Sequence, residues 1–133
     1  MIAAISPNSL YFQLHSESIK SLQVIQFLKA LQKHFKKQNL LILWDRATIH
    51  RSKALQKYIQ ATNNQITIEY LPPYAPELNP VEYIWANLKQ HQIPNLCVRD
   101  LQALSFHAQA ALRRLKRRPQ IIMACFAHSN LFP

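Results

Sequence analysis

The chain has 133 residues, 49% of them hydrophobic, and sixteen Lys and Arg against six Asp and Glu give it a net charge of +10. That length suits one domain with a real core, the composition excludes wholesale disorder, and the charge points to a polyanionic partner, with a merely soluble basic protein as the plainer alternative. Glycine is absent, which rules out a P-loop or a dinucleotide-binding turn, because both need backbone positions that only glycine supplies.

In chain order, MIAAIS, the turn signal Pro7-Asn8 and LYFQL read as a β-hairpin. From Ser18 to about Lys37, Ile19, Leu22, Ile25, Leu28, Leu31 and Phe35 recur at helical spacing with lysines on the other face, and Ser16 or Ser18 is the expected N-cap. LLILW (Leu40–Trp44) has the unbroken hydrophobicity of an interior strand covered on both faces, and it ends at Asp45. Arg51–Ala61 reads as a helix and Gln65–Leu71 as an alternating strand. Four of the eight prolines, Pro72, Pro73, Pro76 and Pro80, then fall within nine residues. Val81–Gln90 is the next predicted helix. Val98–Arg118 is a longer one, with Leu101, Leu104, Ala108, Ala111 and Leu115 on its inner face; Pro119 stops it, and a short helix follows near Gln120–Ala127. The order β-β-α-β-α-β-α-α-α predicts a single mixed α/β domain over residues 1–133, without repeats or linkers.

No apolar run reaches the roughly 18 residues of a membrane span, and MIAAISPNSLYFQL lacks the basic region of a signal peptide. Cys97 and Cys125 have no C-x-x-C partners, so neither a structural zinc site nor a disulfide framework is indicated. A reducing cytoplasm is the compartment these features suggest, with no membrane among the partners.

Two of the six acidic residues occupy positions of interest. Asp45 sits at the carboxyl end of an apolar strand, where α/β sheets present ligand-binding side chains. Glu82 sits in the first turn of a helix whose entry is fixed by the prolines, with Pro80 suited to that turn and Asn79 to its cap. Singly, each has a plain reading: a turn residue after a strand, or an acid that suits a helix dipole. Together, in a chain so poor in acid, they match what a divalent-metal phosphodiesterase needs, because Mg²⁺ and Mn²⁺ take hard oxygen ligands.

LLILWDRATIHRSKALQKYI followed by IEYLPPYAPELNPVEYIWANLK resembles the C-terminal half of the DDE endonuclease domain of IS630-type transposases, in the Tc1/mariner superfamily. The resemblance covers nearly the whole chain. Its most specific parts are Trp44-Asp45 with His50-Arg51-Ser52-Lys53, and the run Leu-Pro-Pro-Tyr-x-Pro-Glu-Leu-Asn-Pro-x-Glu. It implies an RNase H-like fold, with Met1–Leu14 as the second and third strands and helices from about residue 98 closing the domain. It makes Asp45 the second and Glu82 the third carboxylate of the D-D-E triad, 37 residues apart. The implied cofactor is Mg²⁺ or Mn²⁺, the implied chemistry DNA strand cleavage and transfer, and the implied partners transposon ends and target DNA.

The family's first Asp belongs to a central strand that precedes Met1, and Glu17, after both hairpin strands, does not replace it. The helix-turn-helix region that precedes the nuclease domain is likewise missing. Without the bridging Asp, two dications about 4 Å apart would repel with too little compensation. The expectation is therefore a truncated or split transposase, with little activity alone and an open apolar edge on Leu40–Trp44 that invites strand exchange. It would be completed by an N-terminal half or by full-length transposase. A non-catalytic DNA-binding or transposase-binding regulator, or a non-functional remnant, is the alternative.

Among the basic residues, His50 reads as a phosphate or metal-shell contact or else as a helix-entry residue. Arg51 and Lys53 are candidate DNA-backbone contacts, as is Lys89, two turns from Glu82 on one helix. Arg113, Arg114, Lys116, Arg117 and Arg118 close a helix, which suits its dipole, but five charges in six residues exceed that need and suggest a phosphate-binding stripe. Trp85 and Tyr74 read as packing aromatics rather than base-stacking platforms.

Overall fold

The computed structural model describes residues 1–92 and 100–131. Cys97 and the expected helix start at Val98 lie outside the described residues. The chain divides into two compact units: Met1–Ser16 with Pro76–Pro133, and Glu17–Ala75.

In the first unit, β1 (Ile2–Ser6) and β2 (Ser9–Gln13) form an antiparallel hairpin. Ser6 pairs with Ser9, so Pro7 and Asn8 make the turn, as the sequence predicts. The register sets Ala3 against Phe12 and Ile5 against Leu10. Because strand side chains alternate with period two, these four share one face. That face packs with α3 (Pro80–Asn87), α4 (Leu101–Lys116) and α5 (Pro119–His128) around a core of Leu10, Ile84, Leu88, Ala111, Leu112, Leu115, Ile122 and Cys125. Burial raises the Cys125 thiol pKa, so this cysteine sits in the core as a small hydrophobe. Trp85 packs against the same cluster, in keeping with its reading as a packing residue.

The inner face expected for α4 needs correction. Ala111 and Leu115 are buried, joined by Leu112, but Leu101 is 78% exposed and Leu104 is exposed as well. An apolar stripe tells which side of a helix seeks a partner; it does not tell how far along the axis that partner reaches. Here burial is confined to the turns that meet Leu10, Ile122 and Cys125.

In the second unit, β3 (Leu40–Trp44) and β4 (Ile66–Tyr70) run parallel, with Leu40 opposite Ile66 and Trp44 opposite Tyr70. Thus the mixed α/β class holds, while the strands pair two by two. The expectation that Leu40–Trp44 is covered on both faces fails, since Leu41 is 63% exposed. A continuous apolar run marks a strand that two layers could cover, yet Leu41 has no layer over it.

Helices α1 (Ser21–His34) and α2 (Lys53–Gln60) belong to this unit. Neither Ser16 nor Ser18 caps α1. The helix begins after Lys20, whose N–H donates to Gln23 Oε1 at 3.0 Å. Its buried residues are Val24, Phe27, Leu28 and Leu31, and Leu22 is exposed. As far as Leu31 the predicted row advances by three residues at a time, and each such step slips roughly 60° around a helix of 3.6 residues per turn. The true face follows the i, i+3, i+4, i+7 pattern. Ser21 Oγ donates to Ser52 Oγ at 2.8 Å, Gln32 Nε2 to Gln65 Oε1 at 2.8 Å, and the Tyr58 hydroxyl to Gln32 Oε1, which ties α1 to α2 and to the start of β4.

Without glycine, left-handed backbone falls elsewhere. Positive φ occurs among the described residues at Asn63, Asn64, Asn130 and Tyr74. Asparagine is the non-glycine residue most tolerant of that region, and Asn63-Asn64 turn the chain from α2 into β4. No helix of the described residues is long and apolar enough to cross a membrane.

The corrected α4 face is testable by urea denaturation. Leu112→Ala should cost about 2–5 kcal/mol, as for buried leucines generally, whereas Leu101→Ala should stay within about 0.5 kcal/mol. Equal losses at both positions would restore the longer inner face.

Candidate functional site

Asp45 is the first residue beyond β3, and the neighbouring strand decides what surrounds it. Parallel pairing continues one step past the ladder, where Leu71 N–H donates to Trp44 O at 2.7 Å. Arg46 Nε then donates to Leu71 O at 3.2 Å, holding the chain on the far side of Asp45. Next, Thr48–Arg51 forms a 3-10 turn rather than the start of a helix. Helix α2 begins after Ser52, whose Oγ accepts from Leu55 N at 3.3 Å. The helix therefore starts two residues later than the boundary expected at Arg51, because the hydroxyl of Ser52 supplies the cap.

The 3-10 turn brings His50 back onto Asp45. His50 Nδ1 lies 3.4 Å from the Asp45 backbone O and 2.8 Å from Asp45 Oδ1. Ala47 N–H donates to the same oxygen at 3.0 Å. The imidazole stacks on Trp44, with ring centroids 4.5 Å apart and planes inclined by 14°. Tyr70, paired with Trp44 across the ladder, donates its hydroxyl to His50 O at 3.2 Å. His50 is 19% exposed and Asp45 49%, so the carboxylate opens to solvent over a ring that is largely covered. Trp44, Arg46 and Tyr70 were not among the site residues expected from sequence. The signal for Tyr70 is its register with Trp44, which only the folded ladder reveals.

Glu82 is the third residue of α3. Asn79 caps the helix, its Oδ1 accepting from Val81 N at 3.3 Å, and Pro80 takes the first helical position. A Glu here can complete a capping box by accepting from the N-cap N–H. That donor is already committed, because Asn79 N–H bonds to Pro76 O at 3.0 Å. Among the described residues the exposed Glu82 carboxylate has no hydrogen bond or ion pair. Helix-dipole stabilisation remains open to it, but capping is not its use.

Asp45 lies in the unit Glu17–Ala75 and Glu82 in the other. Among the described residues no three His, Cys, Asp or Glu side chains gather as a metal site. Arg51 and Lys53 are exposed beside the Asp45–His50 pair in sequence. Lys89 is exposed too, but it falls in a π turn, Leu88–Gln92, which ends the regular phase assumed between Glu82 and Lys89. Arg113, Arg114 and Lys116 occupy the last turn of α4, and Arg117 and Arg118 the link to α5; all five are exposed. Lys116 Nζ lies 5.5 Å from the Tyr11 ring centroid, a cation–π distance.

Tyr74 departs from its expected role. Its side chain is fully exposed and its φ is 56°, so it packs against nothing while holding a left-handed backbone between Pro73 and Pro76.

A family model described as DDE superfamily endonuclease matches residues 1–116. An uncharacterized protein, y4pE/y4sA of Sinorhizobium fredii (strain NBRC 101917 / NGR234), is 36% identical over 61 residues, 46% of this chain and 45% of that protein. Among solved structures, the Mos1 transposase paired-end complex with left transposon end is similar with a TM-score of 0.62 at 19% identity, over 96% of this chain and 42% of that one. The Mos1 mariner paired end complex with Mn gives a TM-score of 0.57 at the same identity and coverage. At this identity the likeness is one of fold, and it bears out the RNase H-like class. The chain spans less than half the length of the relatives it matches.

The strain at Tyr74 has a measurable consequence. A left-handed non-glycine residue costs about 1–2 kcal/mol, while glycine loses about 0.5–1 kcal/mol more backbone entropy on folding. Tyr74→Gly should therefore leave the unfolding free energy unchanged or raise it by about 1 kcal/mol. A clear loss of stability in urea would mean that the ring packs after all.

Proposed function

Because the chain belongs to the DDE superfamily endonucleases, we propose that it forms the later part of the nuclease domain of an IS630-type transposase, binding DNA and contributing Asp45 and Glu82 as divalent-metal ligands. The observation that carries this reading is a pair of acidic side chains on well-fixed backbone, each with carboxylate oxygen left uncommitted among the described residues. The donors from His50 and Ala47 both fall on Oδ1 of Asp45, and the Glu82 carboxylate has no donor among the described residues. Uncommitted carboxylate oxygens are the ligands that Mg²⁺ and Mn²⁺ prefer.

The ligand type fits such a cation; the ligand number is small. Asp45 and Glu82 would hold it, and a bound ion would supply Lewis acidity and a nucleophilic water at neutral pH. The chain's own residues do the rest. His50 and Ala47 N–H keep the Asp45 carboxylate oriented, and the five cations from Arg113 to Arg118 offer phosphate contacts, as do Arg51, Lys53 and Lys89. Strand cleavage by a two-metal mechanism needs a third carboxylate beside these two, and residues 1–133 alone are expected to nick DNA little or not at all. The same shortfall supports the alternative of a non-catalytic DNA- or transposase-binding regulator.

The ligand roles are tested by Mn²⁺ titration of wild type, Asp45→Asn and Glu82→Gln. Each change should weaken binding about tenfold or more. If either leaves the affinity untouched, that carboxylate is not a ligand. Mg²⁺-dependent nicking by the wild-type chain, abolished in Asp45→Asn, would refute the inactive reading.

DNA binding has its own readout. The logarithm of the affinity for duplex DNA should fall linearly with the logarithm of salt concentration, by about 0.9 per phosphate neutralised. Replacing Arg113, Arg114, Lys116, Arg117 and Arg118 with alanine should flatten that slope by about 0.9 for each phosphate no longer neutralised. An unchanged slope would return the run to helix-end stabilisation alone.

A further inference from the structure

The surroundings of Asp45 are more elaborate than a strand end requires. Two donors, His50 Nδ1 at 2.8 Å and Ala47 N–H at 3.0 Å, converge on one carboxylate oxygen, Oδ1. An ionised carboxylate has no proton to give, so a ring nitrogen this close carries the hydrogen and is the donor. The ring is held by its stack on Trp44 and by the covering that leaves the side chain 19% exposed, and the Tyr70 hydroxyl holds the backbone carbonyl of the same residue at 3.2 Å. A turn residue would need none of this.

We propose that His50 is a positioning residue for Asp45, pinning Oδ1 so that Oδ2 alone is presented to a divalent cation. This rests on the reading of Asp45 as a metal ligand. The consequence is chemical as well as geometric. With Oδ1 held by two donors, the carboxylate is set for monodentate ligation rather than chelation through both oxygens. The order Trp44–Asp45–x₄–His50 is then a single device: Trp44 is the shelf, His50 the clamp and Asp45 the ligand. Partners of this kind around metal-binding groups typically change metal affinity about 10–100-fold when removed. His50 thereby acts through Asp45 and is assigned no contact with DNA.

Three substitutions separate the clamp from the shelf. His50→Phe keeps an aromatic ring to stack on Trp44 but has no donor. His50→Asn offers an amide donor close to the Nδ1 position but no ring. His50→Ala removes both. Mn²⁺ binding to each chain is followed by water-proton relaxation, with thermal melting in the absence of metal to establish that each variant is folded. The expected result is an affinity about 10–100-fold weaker for His50→Ala and His50→Phe, with His50→Asn close to wild type.

Wild-type affinity in His50→Phe would overturn the proposal, because stacking would then suffice without the hydrogen bond. So would an Asn variant as weak as Ala, which would mean that the ring itself is required. Asp45→Asn is titrated alongside. If it binds Mn²⁺ as wild type does, the assignment of Asp45 as a ligand fails first. If it loses binding while His50→Phe and His50→Ala keep theirs, only the positioning role falls.

Discussion

The parallel pairing of Trp44 with Tyr70 is the constraint from which the arrangement around Asp45 follows. Register in a sheet is all-or-none at the level of single residues, since a slip of one turns every side chain to the other face. In the observed register Trp44 O receives Leu71 N–H and Arg46 reaches Leu71 O, so the chain leaves β3 along a fixed path. That path sets where the 3-10 turn places His50, with Trp44 beneath its ring and the Tyr70 hydroxyl on its carbonyl. One shift of register would separate Tyr70 from His50 and leave Asp45 as an ordinary turn residue.

A second constraint is the absence of glycine. The chain still needs left-handed residues, and it places asparagine at three of the four positions with positive φ among the described residues. It also replaces flexible turns with proline. Pro80 and the Asn79 cap start α3 with few alternative entries, which lowers the entropy lost on folding. Tyr74 is the exception in this scheme, an aromatic residue in the left-handed region with its ring in solvent. The proline loop thus combines rigidity with an exposed ring, where asparagine would have met the backbone requirement with less strain.

Much of the fold was legible because it depends on local signals. The Pro7-Asn8 turn, the Leu40–Trp44 strand, the Asn79-Pro80 helix start and the Pro119 stop each rest on one or two residues with strong conformational preferences. Helix faces were read less well. For α1 the chosen row followed spacing of three, and for α4 the apolar stripe ran past the end of its partner. Both errors concern tertiary packing, which periodicity constrains without determining. Around Asp45, the spacing singled out His50 and left its purpose open. Whether a histidine five residues away faces phosphate, metal or the carboxylate depends on the 3-10 turn and on Trp44, and neither is written in the spacing. That Glu82 has no hydrogen bond or ion pair among the described residues was also hidden, because it depends on Pro76 O claiming the Asn79 N–H.

Charge joins the two halves of the proposed function. A chain of net charge +10 with six acidic residues is a poor host for a dication on its own. The long-range field opposes the ion, and only the nearest carboxylates favour it. Phosphates that neutralise part of that field lower the electrostatic work of bringing the ion in and add hard oxygen donors of their own. By linkage the reverse must hold to the same extent: an ion that binds better beside phosphate also makes phosphate bind better. A small carboxylate set inside a strongly basic chain is therefore coherent for a protein whose metal and nucleic acid arrive as partners. It would be a weak arrangement for a protein meant to hold its metal in their absence.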